Sequence, residues 1–292
     1  LVDSARRELE KHGTENFPMT VNHDDLWSFE GKNVPIHWHN DLEINLIREG
    51  EAVFQVYQKS YRVRTGEGFL LNRNVPHSCS SPGNEHVRYS TILVRPDFLY
   101  GDFGSDVERK CFQPFLQNSA IPCIHLTGFD ENGKEILQKL NQVEEAFDRK
   151  RFCYELKIKG LLCEAFAMIL YGHRQELTKF VPANLQELER LEKMLNYLNM
   201  HFTEVISLQD LADQVHLSRE VCCRLFKKMT GKTITGYLEE YRVNKSFSLV
   251  QSGQYSMTQI TEMVGFSNPS RFASAFRKRF GCNPGEYNSV KH

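Results

Sequence analysis

The sequence predicts two domains, an N-terminal all-β barrel with supporting helices and a C-terminal all-α domain. A chain of 292 residues is long enough for two hydrophobic cores. From about residue 20 to 100, short segments that alternate apolar and polar residues are separated by turn signals. After about residue 130 the apolar residues recur at helical spacing instead, so the architecture changes there.

Five segments support the β-barrel, which we expect over about residues 20–120. They are "EINLIREG", "EAVFQVYQ", "KSYRVRTGEG", "GFLLNRN" and "HVRYSTILV". Glycines at Gly50, Gly66 and Gly68 punctuate them and indicate turns. Short strands at this spacing are typical of an antiparallel barrel or sandwich.

Two helices at about 130–171 complete a first domain of residues 1–171. Their apolar stripe is Ile136, Leu140, Val143, Phe147, Leu162, Phe166 and Ile169. This stripe is more hydrophobic than one barrel face requires, so we expect the helices to support the barrel and to form a homodimer. The polar segment at 172–186 contains Pro182 and is predicted to be a linker to a second domain at 187–292.

The composition is that of an ordinary soluble protein, with 40% hydrophobic and 25% charged residues. The start, "LVDSARRELEKHG", has no apolar segment, so we expect no signal peptide there. The longest apolar run, "LLCEAFAMILY", is too short to span a bilayer. The eight cysteines form no CxxC pair, so we expect reduced thiols, a cytoplasmic location and no membrane partner.

An internal repeat organises the last domain. "SLQDLADQVHLS" and "SMTQITEMVGFS" each begin with a serine that can cap a helix, followed three residues later by Asp210 or Gln259. A tight turn through His216 or Gly265 follows, and then a second helix, "REVCCRLFKKMTG" or "NPSRFASAFRKRFG". In the second copy Asn268 suits the N-cap. Two such copies joined by a helix at about 234–252 form a double helix-turn-helix.

The second helix of each copy carries the side chains that a DNA-reading helix needs. Such a helix presents polar groups near its N-terminus and cations on its flanks. From residue 187 onward, 14 Lys and Arg stand against 11 Asp and Glu, a surplus too small to identify a nucleic-acid binder alone. The residues expected at double-stranded DNA are Arg219, Glu220, Cys223, Arg224, Lys227, Lys228, Asn268, Ser270, Arg271, Ser274, Arg277 and Lys278, with Arg279 as a further phosphate contact.

About 100 residues at the C-terminus resemble the AraC/XylS-type bacterial transcription regulators. The matching segments are "LADQVHLS", "CRLFKKMTG", "YLEEYRVNKS", "ITEMVGFSNPSRF" and "FRKRFGCNPGEY". His216, Thr261 and Ser274 depart from the family pattern, where glycine, alanine and arginine are usual. The resemblance implies a sequence-specific DNA-binding regulator, not an enzyme, that responds to a small-molecule effector such as a carbohydrate or related metabolite. The resemblance also implies RNA polymerase as a partner of such a regulator.

The stretch "GKNVPIHWHNDLEINLIREGE" at 31–51 is a candidate effector or metal site. In an extended chain, alternate side chains share a face, so His37, His39 and Glu43 would point to one spot. Together with Gly31 and Gly50 they resemble the first cupin motif in spacing. Of the second cupin motif, Gly66 and His77 are present, whereas its proline, second glycine and asparagine are replaced by Asn72, Asn74 and Ser81.

Three interpretations of His37, His39, Glu43 and His77 stay open. Three imidazoles and one carboxylate suit a divalent transition metal. The same groups could line a metal-free effector pocket, as is usual in AraC-type regulators. They could also be rim residues without a ligand. We favour the metal-free pocket, with no cofactor required, because the second motif is degraded and a DNA-binding domain needs a switch. Trp38 has the opposite parity and is expected to pack outward against a helix.

Two other functions compete with the regulator. A cupin metalloenzyme with a helical accessory tail would use the same four polar residues. A protein that coats RNA or DNA would need aromatic stacking platforms, and the sequence does not indicate one. The two copies of the helix-turn-helix pattern favour the regulator over both.

Overall fold

The structure is a computed structural model that describes residues 12–83, 85–182 and 184–289. The expectation about a signal peptide falls mainly on residues 1–11, which lie outside the described residues. Among the described helices, none is long and apolar enough to cross a membrane. The eight cysteines are all free thiols.

The N-terminal domain is built from β-strands, as predicted. In the described part of the chain they are β1 (Met19–Asp25), β2 (Asn33–His37), β3 (Leu42–Glu49), β4 (Glu51–Val56), β5 (Lys59–Arg64), β6 (Gly68–Leu71), β7 (His77–Ser80), β8 (Arg88–Val94) and β9 (Cys123–Leu126). They pair antiparallel in two sheets, with strand orders β1-β8-β3-β6-β9 and β2-β7-β4-β5. Buried side chains from both sheets share one cluster that includes Phe54 and Phe69, whose rings stack at 4.7 Å. The predicted all-β domain is therefore confirmed.

Helices cover the outer face of the five-stranded sheet. They are α1 (Pro96–Tyr100), α2 (Gln113–Leu116), α3 (Glu131–Arg149) and α4 (Tyr154–Gly172), and a short α5 (Arg174–Leu177) follows. The apolar stripe predicted on α3 and α4 is buried in the same cluster as Ile44 and Ile92 of the sheet. Since the stripe fills the core of this chain, it does not form a subunit interface, and the sequence-based reason for a dimer was wrong.

The C-terminal domain is all helical. Its helices are α6 (Leu185–Met200), α7 (Leu208–Gln214), α8 (Arg219–Thr230), α9 (Ile234–Ser252), α10 (Met257–Met263), α11 (Pro269–Phe280) and α12 (Pro284–Ser289). Two separate cores form, one around α6–α8 and one around α10 and α11. Helix α9 contributes Tyr237 to the first core and Val243 and Val250 to the second, so it joins the two units as predicted.

Local hydrogen bonds cap the N-termini of the repeated helices where the sequence predicts. Ser256 and Gln259 form a reciprocal capping box at the start of α10, and Asn268 accepts the backbone N–H of Arg271 at the start of α11. In the turns, His216 and Gly265 both adopt the left-handed backbone, with φ of 53° and 77°. The histidine therefore occupies a conformation that favours glycine.

Among the described residues, the two domains pack against each other at several places, of which two are described here. Trp38 is 2% exposed and lies in the hydrophobic core of the first helix-turn-helix unit, so the predicted packing against a helix is confirmed. At the second unit, the guanidinium of Arg279 donates to the carbonyl oxygen of Gly31 at 2.6 Å. A Cβ at Gly31 would stand 2.6 Å from the Asn244 side chain, so the backbone of Gly31 approaches that side chain of α9 closely.

Candidate functional site

Helix α8 presents its polar residues on the outside of the first helix-turn-helix unit. Arg219, Glu220, Arg224 and Lys227 are exposed, whereas Cys222, Leu225 and Phe226 point into the core. This division follows from the 3.6-residue period, because the apolar positions recur on one face. The exposed face of α8 therefore carries four of the residues that the sequence predicts at DNA.

Helix α11 repeats this arrangement in the second unit. Asn268, Ser270, Arg271 and Ser274 are exposed near its N-terminus, and Arg277 and Lys278 are exposed near its C-terminus. Arg271 also lies 3.3 Å from Glu239 of α9, an exposed ion pair that contributes little to stability.

Three predicted DNA contacts have other partners in the structure. Cys223 is partly buried and packs against the first core. Arg279 is half-buried and bound to the Gly31 carbonyl, so it is not a free phosphate contact in this arrangement. Lys228 is exposed, but its ammonium bonds both carboxylate oxygens of Glu187 at 2.6 and 2.8 Å.

The four polar residues of the cupin-like motifs do converge. One candidate ligand atom from each of His37, His39, Glu43 and His77 lies within 4.8 Å of the other three. The structural route differs from the expected single extended strand, because β2 ends at His37 and the chain then crosses to the other sheet. Glu43 reaches the group from β3, opposite His77 on β7.

The replaced positions of the second cupin-like motif keep the backbone that delivers His77. Asn74 adopts φ of 58°, a left-handed conformation that asparagine tolerates and glycine would supply. Its N–H donates to the carbonyl of His39 at 2.7 Å, which ties the two histidine-bearing loops together. Asn72 is buried and its amide donates to the Phe115 carbonyl at 2.8 Å. Ser81 lies beyond the end of β7, where its hydroxyl donates to the Gly83 carbonyl.

Electrostatics keep the carboxyl group of this cluster ionised. Burial alone would raise the pKa of Glu43, but His77 and His39 outweigh it and hold that pKa well below its usual range. Asn45 donates to the second carboxylate oxygen at 2.7 Å. His39 and His77 are 4% and 2% exposed, so the cluster is sealed from solvent except beside His37.

A larger cavity, of about 660 Å³, lies between the barrel and the first helix-turn-helix unit. Its walls come from the β4–β5 hairpin, the segment at 119–123, the linker, α6 and the end of α8. The side chains that line the cavity include Tyr57, Tyr61, Leu188, Lys228 and Met229. Sequence reasoning missed this site because its walls are distant in the chain, although the aromatic residues of the hairpin were a signal.

The chain matches two family models. Residues 26–166 match the AraC-like ligand binding domain, and residues 211–289 match a helix-turn-helix domain. The first match spans most of the β-domain with α3 and part of α4, and the second spans both helix-turn-helix units.

Curated relatives match over most of their length. The chain is 31% identical to the HTH-type transcriptional activator RhaR of Mannheimia succiniciproducens, over 87% of each chain. It is 27% identical to the uncharacterized HTH-type transcriptional regulator YdeC of Bacillus subtilis, over 99% of this chain and 98% of that one. It is 22% identical to the melibiose operon regulatory protein of Escherichia coli, over 87% and 83%. With both domains matched in this order, the chain belongs to the AraC family of transcriptional regulators.

Proposed function

We propose that this regulator binds a carbohydrate or related hydroxylated metabolite in the cavity between its domains and changes its grip on DNA in response. The observation that carries the proposal is the position of the cavity, which touches both the barrel and the end of recognition helix α8. Its volume is in the range of about 300–1,000 Å³ that small-molecule sites occupy.

The cavity walls suit a ligand with hydroxyl groups. Burial raises the pKa of Tyr57 and of Tyr61 to about 12, so both phenols stay protonated at neutral pH and can donate hydrogen bonds. Their rings, with Leu188 and Met229, offer apolar faces for the C–H surface of a sugar. A further support is one relative, the melibiose operon regulatory protein of Escherichia coli.

Coupling to DNA follows from the contacts of the cavity. Lys228 and Met229 belong to the last turn of α8, and Leu188 belongs to α6 of the same unit. A ligand that contacts these residues and the hairpin together favours one arrangement of the domains over others, which is what a shift of DNA affinity requires. The histidine cluster was the expected effector site, but only His37 of its four residues is partly exposed, so we propose the larger cavity instead.

For the DNA interface we propose that Arg219, Arg224 and Arg271 read bases and that the basic residues near the helix ends hold phosphates. The residues proposed for these contacts are Arg219, Glu220, Arg224, Lys227, Asn268, Ser270, Arg271, Ser274, Arg277 and Lys278.

We also propose a homodimer on paired half-sites, supported by the exposed apolar side chains of Leu156 and Tyr171 on α4. RNA polymerase is a further proposed partner. Sedimentation as a monomer at micromolar concentration, with operator DNA present, would refute the dimer.

The test begins with genome-wide mapping of the DNA that the full chain binds. Affinity for a recovered duplex is then measured while mono- and disaccharides are added. We expect one sugar class to change the affinity, and Tyr61→Ala to lose that response while keeping basal affinity. Phe129→Ala, which removes an exposed ring outside the cavity, should keep both. Loss of the response in His39→Ala, with Tyr61→Ala unaffected, would place the effector in the barrel instead. Failure to bind any duplex at low salt would refute the proposed function as a DNA-binding regulator.

A further inference from the structure

We propose that His37, His39, His77 and Glu43 form a binding site for a divalent first-row transition metal ion. The site does not depend on the effector proposed above. It rests on the hydrogen bonds that fix each imidazole, on one buried nitrogen without a partner and on the chemistry of the donor set.

Each of the three imidazoles is held by the same kind of hydrogen bond. The Nδ1 atoms of His37, His39 and His77 lie 3.0, 3.0 and 2.8 Å from the carbonyl oxygens of Pro35, Asp41 and Val75. A carbonyl oxygen only accepts, so each Nδ1 carries a hydrogen and donates. In a neutral ring the lone pair then belongs to Nε2. Histidines that ligate metals are oriented in this way, by a carbonyl behind the ring.

Two of these lone pairs, those of His39 and His77, face the same carboxylate oxygen. The Nε2 of His39 stands 2.7 Å from an oxygen of Glu43, and the Nε2 of His77 stands 3.2 Å from the same oxygen. In the described part of the chain, the Nε2 of His77 makes no hydrogen bond although it is fully buried. Acceptors at such distances repel each other unless positive charge lies between them. A divalent cation satisfies all of them together.

The donor set selects the class of ion. Imidazole nitrogens favour zinc, iron, nickel and similar ions, whereas calcium and magnesium prefer oxygen ligands. Metal–nitrogen bonds of about 2.1 Å require ligand atoms within about 4.2 Å of one another. The four candidate atoms lie within 4.8 Å of one another, so small side-chain rotations complete the geometry. The Asn45 amide orients the carboxylate from outside.

The competing explanation is that protons occupy the cluster. His39 and His77 would then be buried imidazolium ions beside Glu43, and no metal would bind. The expectation of a metal-free pocket rested on the degraded second motif. That reason is weakened because Asn74 keeps the left-handed backbone and His77 reaches the site.

The deciding experiment uses the full chain, purified without chelator and on columns that hold no metal. Elemental analysis should find near one equivalent of a first-row metal per chain. After chelation, Zn²⁺, Mn²⁺, Fe²⁺ and Ni²⁺ are titrated separately by calorimetry, and thermal unfolding is followed with and without each ion. Binding to the folded state should raise the melting temperature as the ion concentration rises.

Variants locate the ion. Glu43→Gln keeps the shape of the side chain and should weaken binding at least about 100-fold, and Asn45→Ala should weaken it about 10- to 100-fold. His86→Ala removes an exposed histidine that pairs with Asp25 and should bind like the parent chain. Circular dichroism shows whether each variant folds. If a variant does not fold, the titration of the chelated parent chain with each ion tests the site instead.

No metal in the purified chain and no calorimetric signal with any of the four ions would overturn the proposal. Equal binding by Glu43→Gln and His86→Ala would overturn it as well, since the ion would then lie elsewhere. DNA binding is measured separately. A chain that holds metal but binds no duplex refutes the regulator and leaves the metal site standing.

Discussion

Replacing Trp38 by alanine should destabilise the DNA-binding domain although the residue belongs to the barrel. Its indole is 2% exposed and lies among Leu191, Met194 and Phe226 of the first helix-turn-helix core. An aromatic side chain buries about 150–250 Å². At about 25 cal/mol per Å² this corresponds to roughly 4–6 kcal/mol, and measured Trp→Ala changes in cores cost about 3–5 kcal/mol.

The chain contains a matched control for this change. Trp27 is the other of its two tryptophans. The residue is 44% exposed, and the ammonium of Lys32 lies over its ring at 3.7 Å from the ring centre. Trp27→Ala should therefore cost only about 1 kcal/mol, the size of one cation–π contact at an exposed site.

Urea unfolding followed by far-ultraviolet circular dichroism measures both losses. In the Trp27→Phe background the only indole is Trp38, so its fluorescence reports the contact between the domains directly. We expect its emission to shift to the red in the same transition that unfolds α6–α9. If Trp38→Ala cost no more than Trp27→Ala, the shared core between the domains would not exist in solution.

Five other substitutions test the DNA-binding half. Arg224→Ala should reduce discrimination between duplexes by about 1–3 kcal/mol, and Lys227→Ala should instead lower affinity for all sequences alike and flatten the salt dependence, both measured by fluorescence anisotropy. His216→Gly should raise the free energy of unfolding by about 1 kcal/mol by relieving a left-handed backbone. Gly265→Ala should lower it by more than that, because the added Cβ would stand 2.6 Å from neighbouring backbone; thermal unfolding of both variants checks the contrast. Arg279→Ala should loosen the barrel from the second unit and speed proteolysis of the segment between the domains, whereas unchanged cleavage would show that this contact is incidental.

Periodicity and capping residues were sufficient to predict the repeated helices. The hydrogen bonds of Ser256, Gln259 and Asn268 depend only on neighbours three residues away, so the sequence contains them directly. The convergence of the histidines was also predicted. Its route was not, because the crossing from β2 to β3 places Glu43 on the other sheet.

Long-range contacts explain what the sequence could not predict. Arg279 and Gly31 are 248 residues apart, and no local pattern links them. The expected phosphate contact of Arg279 did not include its bond to the Gly31 carbonyl, because helical parity places the residue near the DNA face without showing the barrel. The cavity depends on the same docking of domains. The hydrophobic stripe of α3 and α4 was misinterpreted for a related reason. The sequence pattern does not show that the five-stranded sheet covers this stripe.

The barrel contacts both recognition units, the first through Trp38 and the second through the Gly31 carbonyl. Helix α9 alone would be a spacer of 19 residues, about 28 Å long, free to bend and twist slightly. Because the barrel holds the unit at each end of α9, α8 and α11 keep a fixed rotational phase relative to each other. A duplex whose two major-groove segments do not match that phase must bend or twist to engage both helices. The stiffness of base pairs that the protein never touches therefore enters its choice of site.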